Sequence, residues 1–361
     1  MKKQVMNLLS MALMALVLFS CSGNGKKGGG KSLFTPVSSG RPYEMLVVID
    51  KGLWERPAGR ALFNVLDADV PGLPQPERSF RISNITPDNF KRGFRIFRNI
   101  IDVDIQPIYT QPKLKYVRDS YASPQMIMTI QAPDEKSFEE FVTKNKRTII
   151  DFFTKAEMNR QIALLKKKHS DLISTKVGSM FGCDVWIPTE LERYKQGEDF
   201  LWASSEHARS DVSMNFVIYS YPYTDKNTFT KDYFIHKRDS VMKINIPGAR
   251  EGQYIQTDSN YVDVKNFSVK GEYAFEARGL WYMENDMMGG PFVSHARVDR
   301  PNGRVVVVEA FIYAPEKKKR DLMRKMEASL YTLNLPQEQE LEEIVVGAGV
   351  EEDEKPASVQ E

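Results

Sequence analysis

The chain has 361 residues, with 50 Lys+Arg against 48 Asp+Glu, four His and two Cys. At roughly 150 residues per domain that length holds about two domains, and the 42% hydrophobic content is too high for a disordered chain. A near-neutral charge excludes a dedicated nucleic-acid binder, and two Cys exclude both a disulfide scaffold and a Cys-rich zinc site.

In chain order, Lys2 and Lys3 come first, followed by an apolar run from Leu8 to Phe19. The run is short of the roughly 20 residues that span a bilayer and has the form of a secretory signal. Leu18-Phe19-Ser20-Cys21 then sets a small residue before a Cys, with Leu at minus three. This string resembles the lipobox of bacterial lipoproteins, although Phe19 is bulkier than the usual residue there. The resemblance implies removal of residues 1–20 and lipidation of Cys21, so that the chain is held to the membrane by acyl chains. Ser22-Gly23-Asn24-Gly25 carries no acid, which favours an outer-membrane position facing the periplasm. Gly25 to Ser32 formally fits the phosphate-binding pattern G-x4-G-K-[ST]. It lacks the strand before and the helix after that the chemistry needs, and residues 21–33 read as a flexible tether.

Residues 34–169 read as a first α+β domain. Met45 to Ile49 is a continuous apolar run, as in a strand buried on both faces. A helix carrying Leu62, Phe63, Val65 and Leu66 ends at Pro71-Gly72, and Arg78 to Ile85 is a strand. Thr86-Pro87-Asp88 predicts a helix start, with Phe90, Phe94, Phe97 and Ile101 on one stripe. The opposite face would hold Lys91, Arg92, Arg95 and Arg98, a candidate surface for phosphorylated headgroups or an anionic wall polymer. Strands are expected at 101–105 and 126–131, then a helical stretch from Asp134 to about Lys168, with a break.

Residues 170–336 read as a second α+β domain, a mostly antiparallel sheet backed by two helices. Strands are expected at Cys183–Ile187, Phe200–Ser204 and Met214–Tyr219. A helix at Phe229–Ile244, three further strands and a closing helix from Glu316 to about Leu333 follow. Arg300-Pro301-Asn302-Gly303 suits a three-residue hairpin loop that pairs Arg300 with Arg304. That register sets His295 opposite Glu309, a pair able to do acid–base chemistry. Arg278, Tyr282, Glu284 and Arg297 would share its sheet surface, as candidate binding residues. Cys183 is expected as a buried small hydrophobe. His169, His207 and His236 show no ligand spacing, so neither a metal nor another cofactor is expected. From Gln337 to Glu361 the composition is acidic and reads as a disordered tail.

Four strings carry a wider resemblance: Leu73-Pro74-Gln75-Pro76-Glu77, Phe97 to Ile101, Met288-Gly289-Gly290-Pro291 and Arg304 to Pro315. They resemble an uncharacterised lipoprotein family of the Bacteroidetes, a domain of unknown function, which supplies no activity, cofactor or catalytic residue. The fold class expected is therefore α+β, two domains, each a mainly antiparallel or mixed sheet backed by helices. The function expected is a lipid-anchored periplasmic binding or envelope-assembly module, non-catalytic, with an envelope protein or anionic envelope component as partner. The alternative is an envelope hydrolase using His295 with a carboxylate such as Glu309.

Overall fold

The computed structural model describes residues 35–205 and 211–338, together with 344, 346, 347 and 350–353. The signal, Cys21, the tether and His207 lie outside the described residues. Residues 36–361 form one compact unit that contains two sheets.

The first sheet is mixed. Strand β1 (Glu44–Val48) lies one in from an edge, flanked in parallel by the edge strand β2 (Arg81–Ile85) and by β3 (Asn99–Ile105). Strand β5 (Met126–Ala132) runs parallel to β3, and β4 (Lys113–Arg118) returns antiparallel beside it. One face is covered by helices α1 (Lys51–Glu55), α2 (Pro57–Leu66), α4 (Glu135–Lys144) and α5 (Lys146–Lys167), whose apolar stripes close over Met45, Val47, Ile101 and Met128. Covering both faces is what makes β1 apolar throughout. The expected break in the long helix falls at Asn145, between α4 and α5.

The other face is covered differently from the expectation. Instead of a helix from Thr86, the chain makes a 3-10 turn at Pro87–Asn89 and the four-residue helix α3 (Arg92–Arg95). Gln125 explains the interruption. Its side-chain amide donates to the carbonyls of Arg95 and Phe97, at 2.6 and 2.7 Å, and so takes acceptors that a continuing helix would use. Phe90 and Phe97 still pack onto Leu46, Val48, Ile100 and Ile127, whereas Phe94 is exposed and Ile101 faces the other core, so the four do not form one stripe.

The second sheet has seven strands, every neighbouring pair antiparallel. Its order is β6 (Arg193–Gly197), β7 (Phe200–Ser204), β8 (Ser213–Pro222), β12 (Arg304–Tyr313), β11 (Gly289–Asp299), β10 (Glu272–Met283) and β9 (Ile255–Val269). Helices α6 (Asp171–Phe181) and α8 (Arg320–Leu330) pack on one face, and α7 (Lys231–Asn245) packs on the other. Three helices thus flank the sheet where two were expected. Cys183 to Ile187 is an extended segment with a single bridge, Asp184 to Asn334, and is not a strand. Cys183 is buried, and burial pushes its thiol up to about 12, so it serves the core as expected.

The hairpin between β11 and β12 corrects the expected register by one residue. Arg300 to Gly303 form a four-residue loop closed by a bond from the Gly303 amide to the Arg300 carbonyl at 3.2 Å. The Asp299 carboxylate pins both ends, accepting from Asn302 Nδ2 and, at 2.8 Å, from Arg304 Nε, so Asp299 pairs with Arg304. A one-residue slip moves every side chain to the opposite face. Glu309 therefore lies beside Ser294, and His295 lies opposite Val308.

The described residues of the acidic segment pack against the fold rather than standing off as a solvated tail. Val346 is buried in the first core, and β13 (Glu351–Glu352) adds in parallel to β4. Lys113 meets Glu351 and Lys115 meets Asp353, at 3.2 and 3.1 Å. Opposite charge is what directs an acidic strand onto this basic edge.

Candidate ligand-binding cleft

His295 is fully buried, its ring 4.8 Å from those of both Phe267 and Tyr331. Its sheet partner is Glu276 of β10, with Nε2 at 3.4 Å from the carboxylate but without hydrogen-bond alignment. Glu309 is on the other face, locked to Arg238 of α7, with both side chains fully buried and a closest approach of 2.6 Å. The Ser294 hydroxyl donates to the same carboxylate, Arg238 also donates to Thr257, and its guanidinium lies 4.2 Å from the centre of the Phe292 ring. The expected His295–Glu309 pair does not form, because Arg238 neutralises Glu309 on the far side of the sheet.

The other expected residues fall into three places. Arg278 is buried between Glu276 at 2.9 Å and Glu327 of α8 at 2.6 Å, with Arg324 completing the group. Burial alone would raise the Glu276 carboxyl, but Arg278, His295 and Lys265 together outweigh it and hold the group well below its usual 4.5. Arg278, Tyr282, His295 and Arg297 do share one face by strand alternation, while Glu284 lies beyond the end of β10, and the face is covered at Arg278 by Glu327 of α8 and at His295 by Tyr331. Tyr282 remains exposed and donates to Gln256 at 2.6 Å. Of the basic segment, Arg98 is paired with the buried Glu157 at 2.8 Å, while Lys91, Arg92 and Arg95 stay exposed, Arg95 with its guanidinium over Phe90 and Tyr121.

Arg297 leads to a different site. With Glu338, which its guanidinium meets, it borders a cleft of about 840 Å³, within the usual size of small-molecule sites. Three aromatic rings line it. Tyr223 and Tyr273 are 36% and 44% exposed, and Phe229 sits between them, 6.1 and 5.0 Å from each. Asn227 and Asn266 add side-chain amides, and Lys226 and Arg300 add cations. Arg300 is paired with Glu272, whereas Lys226 has no ion pair among the described residues.

The positions follow from chain geometry. Asp225 caps the 3-10 turn Lys226–Phe229 by accepting from the Asn227 amide at 2.7 Å, which presents Lys226 outward and Phe229 inward. Strand alternation puts Tyr273 on the same face as Phe275, at the end of β10 where α7 no longer covers the sheet. Strand periodicity alone groups Tyr273 with the buried Phe275 and gives no sign of its exposure. The signal was there in part: four aromatic residues, Tyr219, Tyr221, Tyr223 and Phe229, recur within eleven positions around a charged turn.

Among the described residues no three His, Cys, Asp or Glu side chains converge as metal ligands. No described helix is long and apolar enough to cross a membrane.

Two family models match the chain, and both describe a domain of unknown function. DUF8532 matches residues 38–166, and DUF4837 matches residues 170–332. The tandem supports an uncharacterised domain family. No curated protein matches the chain in sequence. Among solved structures, the human StarD13 (DLC2) lipid transfer and protein localization domain is similar at 6% identity over 38% of this chain and 85% of that one. The TM-score is 0.20, a level from which no shared fold follows.

Proposed function

We propose that this protein is a lipid-anchored module of the cell envelope, facing the periplasm from the outer membrane, that binds a ligand in the Tyr223–Tyr273 cleft. The anchor rests on the apolar run ending in Leu18-Phe19-Ser20-Cys21. Binding rests on one observation: half-exposed rings, side-chain amides and an uncommitted lysine converge on a single concavity. Such a lining recognises an amphipathic, polar ligand.

The carboxylates in the cleft favour binding over turnover. Glu272 is held by Arg300 and Glu338 by Arg297, so both carboxylates are engaged in ion pairs rather than free to face a substrate. An envelope hydrolase based on His295 would need substrate to reach a ring sealed between Phe267 and Tyr331. The expected basic surface loses only Arg98, to Glu157, but its helix is short, whereas the cleft joins a cation to aromatic rings in one concavity, which favours the cleft as the ligand site.

The test is growth of cells with an alkyne fatty acid, followed by membrane fractionation of the full chain. The proposal predicts label and membrane retention for the native protein and loss of both in Cys21→Ala. Equal retention of the two would overturn the anchor.

A further inference from the structure

We infer that the cleft takes an acidic saccharide, with a sugar face stacked on its aromatic rings and a carboxylate or phosphate held by Lys226. This rests on the cleft being the ligand site. The rings come first. Tyr223, Phe229 and Tyr273 form a continuous cluster rather than isolated residues, and two of them are more than a third exposed. The negative face of an aromatic ring attracts the polarised C–H bonds of a sugar face, and rigid rings lose little entropy in doing so.

Polar groups narrow the class further. An acyl chain needs an unbroken apolar wall, but Lys226, Asn227, Thr230, Asn266 and Glu272 interrupt this one. Asn227 and Asn266 each have both a donor and an acceptor, which suits hydroxyl groups that are themselves both. The Asn266 oxygen already accepts from the Tyr273 hydroxyl at 2.8 Å, so this amide also fixes the ring. A peptide strand would add along a sheet edge. The cleft instead lies where strand ends and the Arg300–Gly303 turn meet, lined by side chains.

Charge selects the acid. Three cations line the cleft, Lys226, Arg297 and Arg300, against the two carboxylates Glu272 and Glu338. Both carboxylates are matched by the arginines, so Lys226 is the cation left to meet a ligand anion.

The experiment is calorimetric titration of the detergent-solubilised full chain at low salt with trigalacturonate, phosphorylated maltotriose and neutral maltotriose. Tighter binding of either acidic sugar than of maltotriose is expected, and the better of the two assigns the anion. Lys226→Ala should weaken the acidic probe about tenfold, the size of one charge-assisted contact, and leave maltotriose unchanged. Tyr273→Ala should weaken all three, and the exposed Lys318→Ala should weaken none. Equal affinity for acidic and neutral sugars overturns the charge assignment. Binding unaffected by Tyr273→Ala overturns the location, and binding of none of the sugars overturns the saccharide class. Lys226, Tyr273 and Lys318 are exposed, so unchanged melting temperatures separate these outcomes from misfolding.

Discussion

Buried charge sets the behaviour of individual residues in this protein. Arg238 and Glu309 are both fully buried, and their attraction offsets a desolvation cost of several kcal/mol per ion. Removing one partner strands the other, so Glu309→Leu should lower unfolding free energy by about 3–5 kcal/mol in urea. Adding Arg238→Met to that variant should recover more than half of the loss. Failure to recover would mean that Ser294 and Thr257, rather than the charges, carry the site. Asp102 of β3 makes the opposite case. Burial, and then the neighbouring Asp104, raise its carboxyl from 3.8 to about 6. An acid whose folded pKa is raised destabilises the fold when ionised, a cost absent below pH 3.8 and fully present above about 6. Asp102→Asn should therefore melt higher than the native protein at pH 8, with the difference vanishing towards pH 4. A difference independent of pH would contradict this assignment.

At the scale of elements, legibility followed burial. The buried strand at Met45 to Val48, the break near Asn145 and the antiparallel strands of the second sheet could be read because apolar runs and turn residues mark them directly. Where both faces of a sheet are covered, polarity alternation no longer marks a face. Val305 to Val308 are all buried whichever way they point, so pattern alone could not decide the β11–β12 register. The Asp299 contacts to Asn302 and Arg304 decided it. The 86–98 segment failed for another reason, because Gln125 lies about thirty positions away and takes its helical acceptors. The acidic end was misjudged because its partners, Lys113 and Lys115, are more than two hundred residues distant. That docking can be tested on its own. Reversing Glu351 and Asp353 to Lys should speed amide exchange in β4 about tenfold or more, with β8 and β12 unchanged. Unchanged β4 protection would show that β13 contributes nothing to this edge.

Across residues 36–361 the two sheets are joined by a cap given from one half of the chain to a helix of the other. Glu77, in the Leu73-Pro74-Gln75-Pro76-Glu77 string, accepts from the backbone amides of Lys319 and Arg320 at the start of α8, at 2.6 and 3.2 Å. A carboxylate there satisfies two orphan donors and complements the helix dipole. Arg320 returns a bond to the Arg78 carbonyl at 2.6 Å, and Arg81 pairs with Asp321 at 2.7 Å. Those links tie the two sheets together within residues 36–361. The cleft lies at the end of the second sheet, built from the 3-10 turn, two hairpins and Glu338. Of its lining, sequence reading offered only Arg297 as a binding residue, because the site comes together from five separated stretches of chain. The most direct test replaces Tyr273 with a photo-crosslinking phenylalanine in living cells, with Ile244, exposed on α7 away from the cleft, as control. The account predicts a discrete envelope adduct from position 273 that is absent from position 244 and diminished by Lys226→Ala. The same adducts from both positions, or none from 273, would contradict it.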